Sequence, residues 1–289
     1  MSETLIKAAI SPDTRKVYIR SWDKLKTFCE KYNLVMSFPI HSATLLRFVS
    51  FLFHQGYAYA SISVMLSAIS YIHKARKLDD PCDIQVKNAL LGAKNLSPPQ
   101  KGSLPVHIET LEDISNLADG VLPNSFTLLL FRAMTILAYF ALLRVGEFTF
   151  SKHTLRYEDI VLTQDTITIN FQSFKHSKGK PFVHTIHARK PSAICPVQAL
   201  SSYLQVRPSG HEFLFVKENG RTPSRKEFWD WMREVLQQCG INVELYSPHS
   251  LRIGMATHMA LSGASTEQIK IAGRWSSDAF RKYIHVTKF

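Results

Sequence analysis

Apolar residues in the first hundred positions recur at helical spacing. Ser11-Pro12-Asp13-Thr14 combines a hydroxyl cap, a proline in the first turn and an acidic residue near the positive end of the helix dipole. The helix that follows puts Val17, Trp22, Leu25 and Phe28 on one broad side and Arg15, Lys16, Lys24 and Lys26 elsewhere, as far as Asn33. Leu45, Leu46, Phe48, Val49, Phe51 and Leu52 predict a second helix over 42–54, stopping near Gly56. Ile62, Met65, Leu66, Ile69 and Ile72 predict a third over 60–77, and a weaker fourth covers 81–94. Four short amphipathic helices make a small bundle.

The period is lost over 95–105, where three prolines, a glycine and two serines read as a linker. A hinge there would let two basic domains close around a duplex; a plain surface loop is the alternative. Beyond it a short helix over 110–118 precedes the apolar run 126–143, which leads straight into Arg144. Residues 160–162, 166–171 and 182–187 read as three antiparallel strands, the second with clean period-two alternation. Helices follow over 191–206 and 224–239, and the last forty-odd residues read as three short helices. The expected fold is mainly α with a small antiparallel sheet (α+β): a helical domain 1–95, a linker 96–105 and a second domain 106–289.

Charge adds a partner to this outline. The net charge of +12 is spread evenly, an excess of six on residues 1–100 and six on 101–289. Both halves suit a polyanion such as double-stranded DNA, because Lys and Arg neutralise phosphates and release counterions. Cys29, Cys82, Cys195 and Cys239 are scattered, which indicates neither a zinc site nor a disulfide framework and fits a reducing compartment. The polar start after Met1 argues against a secretory leader. The run 126–143 holds Arg132, costly in lipid, and reads as a buried core helix, so no membrane partner is expected.

There is no phosphate-cradling glycine loop, no H-E-x-x-H and no G-x-S-x-G, and no metal or cofactor is expected. What remains is a scattered set of polar residues. Pro248 suits a first helical turn and would place His249 and Arg252 at i and i+3 on one face. Arg144 with Glu147, at the end of an apolar run, allows two readings: Glu147 neutralises Arg144, or steadies it while the guanidinium faces an anion. The turn 174–181 carries three lysines, ordinarily a solvated tip but also a way to bring an ammonium to a phosphate. His184 and His187 point to opposite faces of their strand and are poor partners for one metal.

Taken together, Leu143-Arg144-Val145-Gly146-Glu147, Lys178 on its turn, Pro248-His249-Ser250-Leu251-Arg252, Gly273-Arg274-Trp275 and Tyr283 resemble the tyrosine recombinase (phage integrase) superfamily. The similarity covers essentially the whole chain, the helical N-terminal half looking like that family's core-binding domain. The wording of 273–284 and of Cys195-Pro196-Val197-Gln198-Ala199-Leu200 looks most like eukaryotic mobile-element recombinases of the DIRS or crypton type. Tyr283 follows Trp275 by eight residues, where many members have nine, and six residues follow Tyr283.

The resemblance implies a DNA strand-exchange enzyme working through a 3′-phosphotyrosine, needing neither ATP nor metal. Tyr283 would be the nucleophile, Arg144 and Arg252 would hold the non-bridging oxygens, and His249 would take the phenolic proton. Lys178 would protonate the leaving 5′ oxygen, Trp275 would pack at the phosphate, and Glu147 would support. It also implies a homo-oligomer on DNA, a tetramer or paired dimers, located in the nucleus of a eukaryotic host and otherwise in the cytoplasm. A type IB topoisomerase, or an inactive derivative kept for DNA binding, are the alternatives. Arg15, Lys16, Lys24, Arg76 and Lys77 are candidate phosphate contacts, although a solvated polar face explains them equally well.

Overall fold

The computed structural model describes residues 9–98, 102–174, 179–189 and 191–284. The chain divides into two compact units, Met1–Gln100 and Lys101–Phe289. The first holds α1 (Pro12–Lys31), α2 (Ser42–His54), α3 (Tyr59–Ala75) and α4 (Ile84–Leu96). Ser11 caps α1 by accepting from the Thr14 N–H at 3.1 Å, and Asp83 caps α4 by accepting from Val86 at 2.9 Å. Leu25, Phe28, Leu45, Phe48, Leu52, Ile62, Leu66 and Ile69 share one core. His73 lies inside it, where its Nε2 accepts from the Ile40 N–H at 2.9 Å and its Nδ1 meets the Ile69 carbonyl. Helix α3 ends two residues before the expected point, because Lys77 takes up a left-handed conformation with φ of 58°.

The second unit contains α5 (Ile108–Leu117), α6 (Ser125–Phe140), α7 (Val145–Phe148), β1 (Ile160–Leu162), β2 (Thr166–Phe171) and β3 (Phe182–His187). After the sheet come α8 (Pro196–Val206), α9 (Arg225–Gln238), α10 (Ser250–Leu261), α11 (Thr266–Ala272) and a 3₁₀ turn over Asp278–Tyr283. The three strands form one antiparallel sheet in the order β1-β2-β3, with Ile167 opposite Ile186 and Phe171 opposite Phe182. The mainly helical fold with its small sheet is the expected one. Helix α6 is the spine of this unit, its side chains buried nearly all round from Leu128 to Phe140. Arg132 is accommodated because its Nε and Nη2 both donate to the Ser115 carbonyl, at 2.9 and 2.7 Å. Among the described residues no helix is long and apolar enough to cross a membrane.

Part of the stretch expected to be linker is held in place. The Leu104 N–H donates to the Leu245 carbonyl at 2.8 Å and the Val106 N–H to the Ser250 carbonyl at 3.1 Å. This laces the strand-like segment 104–106 against the start of α10. A Cβ on Gly254 would overlap the Val106 carbonyl and come within 2.9 Å of the Tyr139 ring. Glycine normally weakens a helix interior, so only that close approach accounts for it. Gly254→Ala is therefore expected to destabilise the second unit by about 3 kcal/mol or more, since backbone must move rather than a side chain. Thermal unfolding checks this; a gain in stability from the better helix former would contradict the packing argument.

Candidate active site

Three changes of direction in the chain build the site. The expected continuous helix from 125 into Arg144 is broken: α6 stops at Phe140, Leu142 turns left-handed with φ of 46°, and the Leu143 N–H returns to the Ala138 carbonyl at 2.9 Å. This reversal makes Arg144 the residue that caps the short helix α7 rather than the end of an apolar rod. Similarly, Pro248 and His249 lie in a turn just before α10, not inside it. Arg252 still falls in the first turn of α10. Finally the loop after α11 turns left-handed at Arg274, with φ of 54°, and delivers Trp275. A Cβ on Gly273 would fall within that indole ring, so only glycine fits beneath it.

One carboxylate organises the arginines. Glu147 is buried and accepts at Oε1 from Arg144 Nη1 at 3.1 Å. Its Oε2 accepts from the Arg144 N–H at 2.8 Å and from Arg274 Nη2 at 2.6 Å. Neither sequence reading of Glu147 was complete, because the carboxylate is divided between two guanidiniums. Arg252 is 1% exposed, donates to the Leu142 and Gly273 carbonyls, and stacks with its Cζ 4.2 Å from the Trp275 ring centroid. Arg144 Nη2 donates to the Arg274 carbonyl at 3.1 Å, so both arginines grip the same Gly273–Arg274 main chain. Arg144 alone of these three keeps a partly exposed side chain, at 21%.

His249 faces this cluster. Burial first, then the charges of Arg252, Arg144 and Arg225, push its pKa down to about 4. Arg225, at the start of α9, carries no signal in the sequence that sets it apart from other surface arginines. His184 on β3 is likewise pushed down to about 4, chiefly by burial and next by Arg274, against a hydrogen bond to the Phe140 carbonyl that favours the charged form. Both rings are thus neutral at pH 7 in the folded state. Between pH 6.5 and about 4 the unfolded chain binds protons that the folded chain refuses, so stability falls as pH falls through that window. Each histidine contributes up to about 3 kcal/mol of that loss. Melting temperatures at pH 7.5, 6 and 4.5 should drop less steeply for His184→Gln than for the parent; identical slopes would rule His184 out.

The other expected site residues are placed unevenly. Tyr283 belongs to the 3₁₀ turn Asp278–Tyr283, which is anchored by fully buried Phe280 against Leu142, Ala256 and Ile269. Burying such a ring contributes about 2 kcal/mol. Lys178 lies outside the described residues. The flanks of its turn, Phe174 and Phe182, close with Phe171 into an aromatic group at the end of the sheet. In the first unit, Arg15 and Arg76 line one groove with Tyr18, Trp22 and Tyr71, and the Arg76 Cζ sits 4.4 Å from the Phe38 ring centroid. Lys24 is apart from them, over Tyr57 at 5.2 Å, while Lys16 and Lys77 are exposed. Arg274 joins the cluster although nothing in the sequence marks it beyond its place before Trp275.

A partly exposed arginine and a buried one thus share one carboxylate, beside a second buried guanidinium and a neutral histidine, on a mainly helical domain. The model of the phage integrase family matches residues 112–288. The chain is 28% identical to the tyrosine recombinase XerD of Halalkalibacterium halodurans, over 85% of this chain and 77% of that one. It is 27% identical to XerD of Vibrio vulnificus, over 97% and 87%. Among solved structures, the Tn1549 transposon integrase in complex with transposon right end DNA matches with a TM-score of 0.70 at 14% identity, covering 99% of this chain and 93% of that one. The XerH site-specific recombinase bound to palindromic difH substrate matches with a TM-score of 0.69 at 19% identity, covering 93% and 75%. The chain belongs to the phage integrase family, the tyrosine recombinases.

Proposed function

We propose that this protein is a site-specific recombinase or integrase of a mobile element, cutting and rejoining double-stranded DNA through a 3′-phosphotyrosine. The observation that carries this reading is that Arg144 and Arg274 share the single carboxylate of Glu147 while Arg252 is held beside them by the Leu142 and Gly273 carbonyls, which leaves an excess of fixed positive charge beside His249. Attack on a phosphodiester builds negative charge on the non-bridging oxygens, and preorganised guanidiniums stabilise it without a metal. Arg144 meets the phosphate first; Arg252 shares its fork between the Leu142 and Gly273 carbonyls and a phosphate oxygen once DNA is bound. His249, uncharged at neutral pH, accepts the proton of the Tyr283 hydroxyl. Trp275 fixes the Arg252 guanidinium by stacking. Lys178 donates the proton to the leaving 5′ oxygen, so one P–O bond is exchanged for another and no energy source is needed.

The first unit, with Arg15, Lys16, Lys24, Arg76 and Lys77, binds the duplex, and the active form is a homo-oligomer on paired sites. The wording of 273–284 favours an element of the eukaryotic DIRS or crypton type and a nuclear setting, whereas the bacterial relatives favour a cytoplasmic one. The test is incubation with nicked DNA carrying the element's terminal sequence in EDTA. A covalent protein–DNA adduct is expected, followed by recombination when two sites are supplied. Relaxation of supercoils by a monomer without paired sites would make it a topoisomerase instead, and DNA binding without any adduct would leave only the inactive derivative.

A further inference from the structure

We propose that Arg274 is a positioning residue for strand cleavage, dividing Glu147 with Arg144 so that Arg144 keeps its charge for the phosphate. The inference rests on the cleavage reading above. The Arg274 side chain is wholly buried, and enclosing a guanidinium costs several kcal/mol, so its charge needs a purpose that an apolar residue of similar size would not serve. Its Nη2 meets Glu147 Oε2 at 2.6 Å, and its Nη1 and Nη2 reach the Ala141 and Leu142 carbonyls at 3.3 Å each. Its Cζ lies 3.9 Å from the Phe171 ring centroid, on the end of the sheet whose β2–β3 connection contains residue 178. Its own carbonyl accepts from Arg144 Nη2. Side chain and main chain of one residue therefore hold Glu147 and Arg144 from two directions. Burial and the neighbouring Arg144 lower its pKa to about 10 against the pull of Glu147, which leaves it charged at neutral pH. Were Arg274 absent, both oxygens of Glu147 would turn to Arg144 and neutralise it.

The experiment is single-turnover adduct formation on the nicked duplex in five proteins: the parent, Arg274→Met, Arg274→Lys, Arg144→Ala and the double variant of Arg274→Met with Arg144→Ala. Arg274→Met should slow cleavage roughly 10- to 100-fold with DNA affinity unchanged, since misplacing a reacting group costs on that order. Arg274→Lys should recover part of the rate. In the Arg144→Ala background, the Arg274→Met change should cost less than about threefold, because its effect passes through Arg144. Multiplying losses, or parental cleavage by Arg274→Met, would overturn the proposal. Should Arg274→Met fail to fold, Arg274→Lys stands in for it, keeping the buried charge but losing the fork that reaches Glu147 and the two carbonyls together; it should fold and cleave more slowly than the parent, and a parental rate would overturn the proposal equally. A parent that forms no adduct fails the cleavage reading itself and takes this inference with it, whereas an active parent with multiplying losses fails the inference alone.

Discussion

Tyr283→Phe should bind the duplex as tightly as the parent and form no covalent adduct, a loss of more than about a thousandfold against the preorganised reaction. The change removes one oxygen and keeps the ring, so the 3₁₀ turn anchored by Phe280 has no reason to move. A phenol with the ordinary pKa of about 10 is only about one part in a thousand ionised at pH 7, so the proposed attack requires cations and a base to act on it. Three other tyrosines of the unit are poor substitutes. Tyr203 is held in the phenol form by burial, with its pKa pushed up to about 12, and burial raises Tyr139 and Tyr246 as well. Peptide mapping of the parent adduct should find DNA on Tyr283. An adduct that persists in Tyr283→Phe on another side chain would remove the residue from its role.

Arg252 should show two large effects that separate with the substitution chosen. Arg252→Met strips the Gly273 carbonyl of its donor and leaves the Leu142 carbonyl only the longer bond from Arg274, at about 1–3 kcal/mol for a buried acceptor left unsatisfied, and it removes the guanidinium stacked on Trp275 as well. For a unit of this size the melting temperature should fall by about 5–20 °C. Arg252→Lys keeps a positive charge and loses the planar fork and the stack on Trp275. It should retain most of the fold and slow adduct formation by roughly 10²–10³-fold, the cost of one transition-state donor. Arg144→Lys provides the contrast, with similar slowing and a smaller change in melting, because Arg144 is partly exposed. If Arg252→Lys cleaves at the parental rate, the buried arginine is structural and Arg144 alone serves the phosphate.

The elements were readable along the chain where local rules agree. Residues 42–54 form α2 with the expected bounds, and 160–162, 166–171 and 182–187 are the three strands. In each case hydrophobic period and end signals point the same way. The misread place is the passage from α6 to Arg144. Nothing in Ala141-Leu142-Leu143 marks a left-handed turn, since leucine rarely adopts one. It is held there because Leu142 packs on Ala256, Ile269 and Phe280 and its carbonyl receives Arg252, contacts with residues more than a hundred positions away.

The same distinction applies to the site. The sequence by itself determined the helical and strand periods, the basic surplus and the Arg144, His249–Arg252, Trp275 and Tyr283 spacing, because these depend on neighbours in the chain. Only the tertiary structure decided that Glu147 is shared, that Arg252 is enclosed and that Arg274 belongs to the cluster. A buried charge is defined by what surrounds it, and here the surroundings come from α6, the end of the sheet and the loop after α11. An arginine between a glycine and a tryptophan gives no sign of that company until the chain has folded.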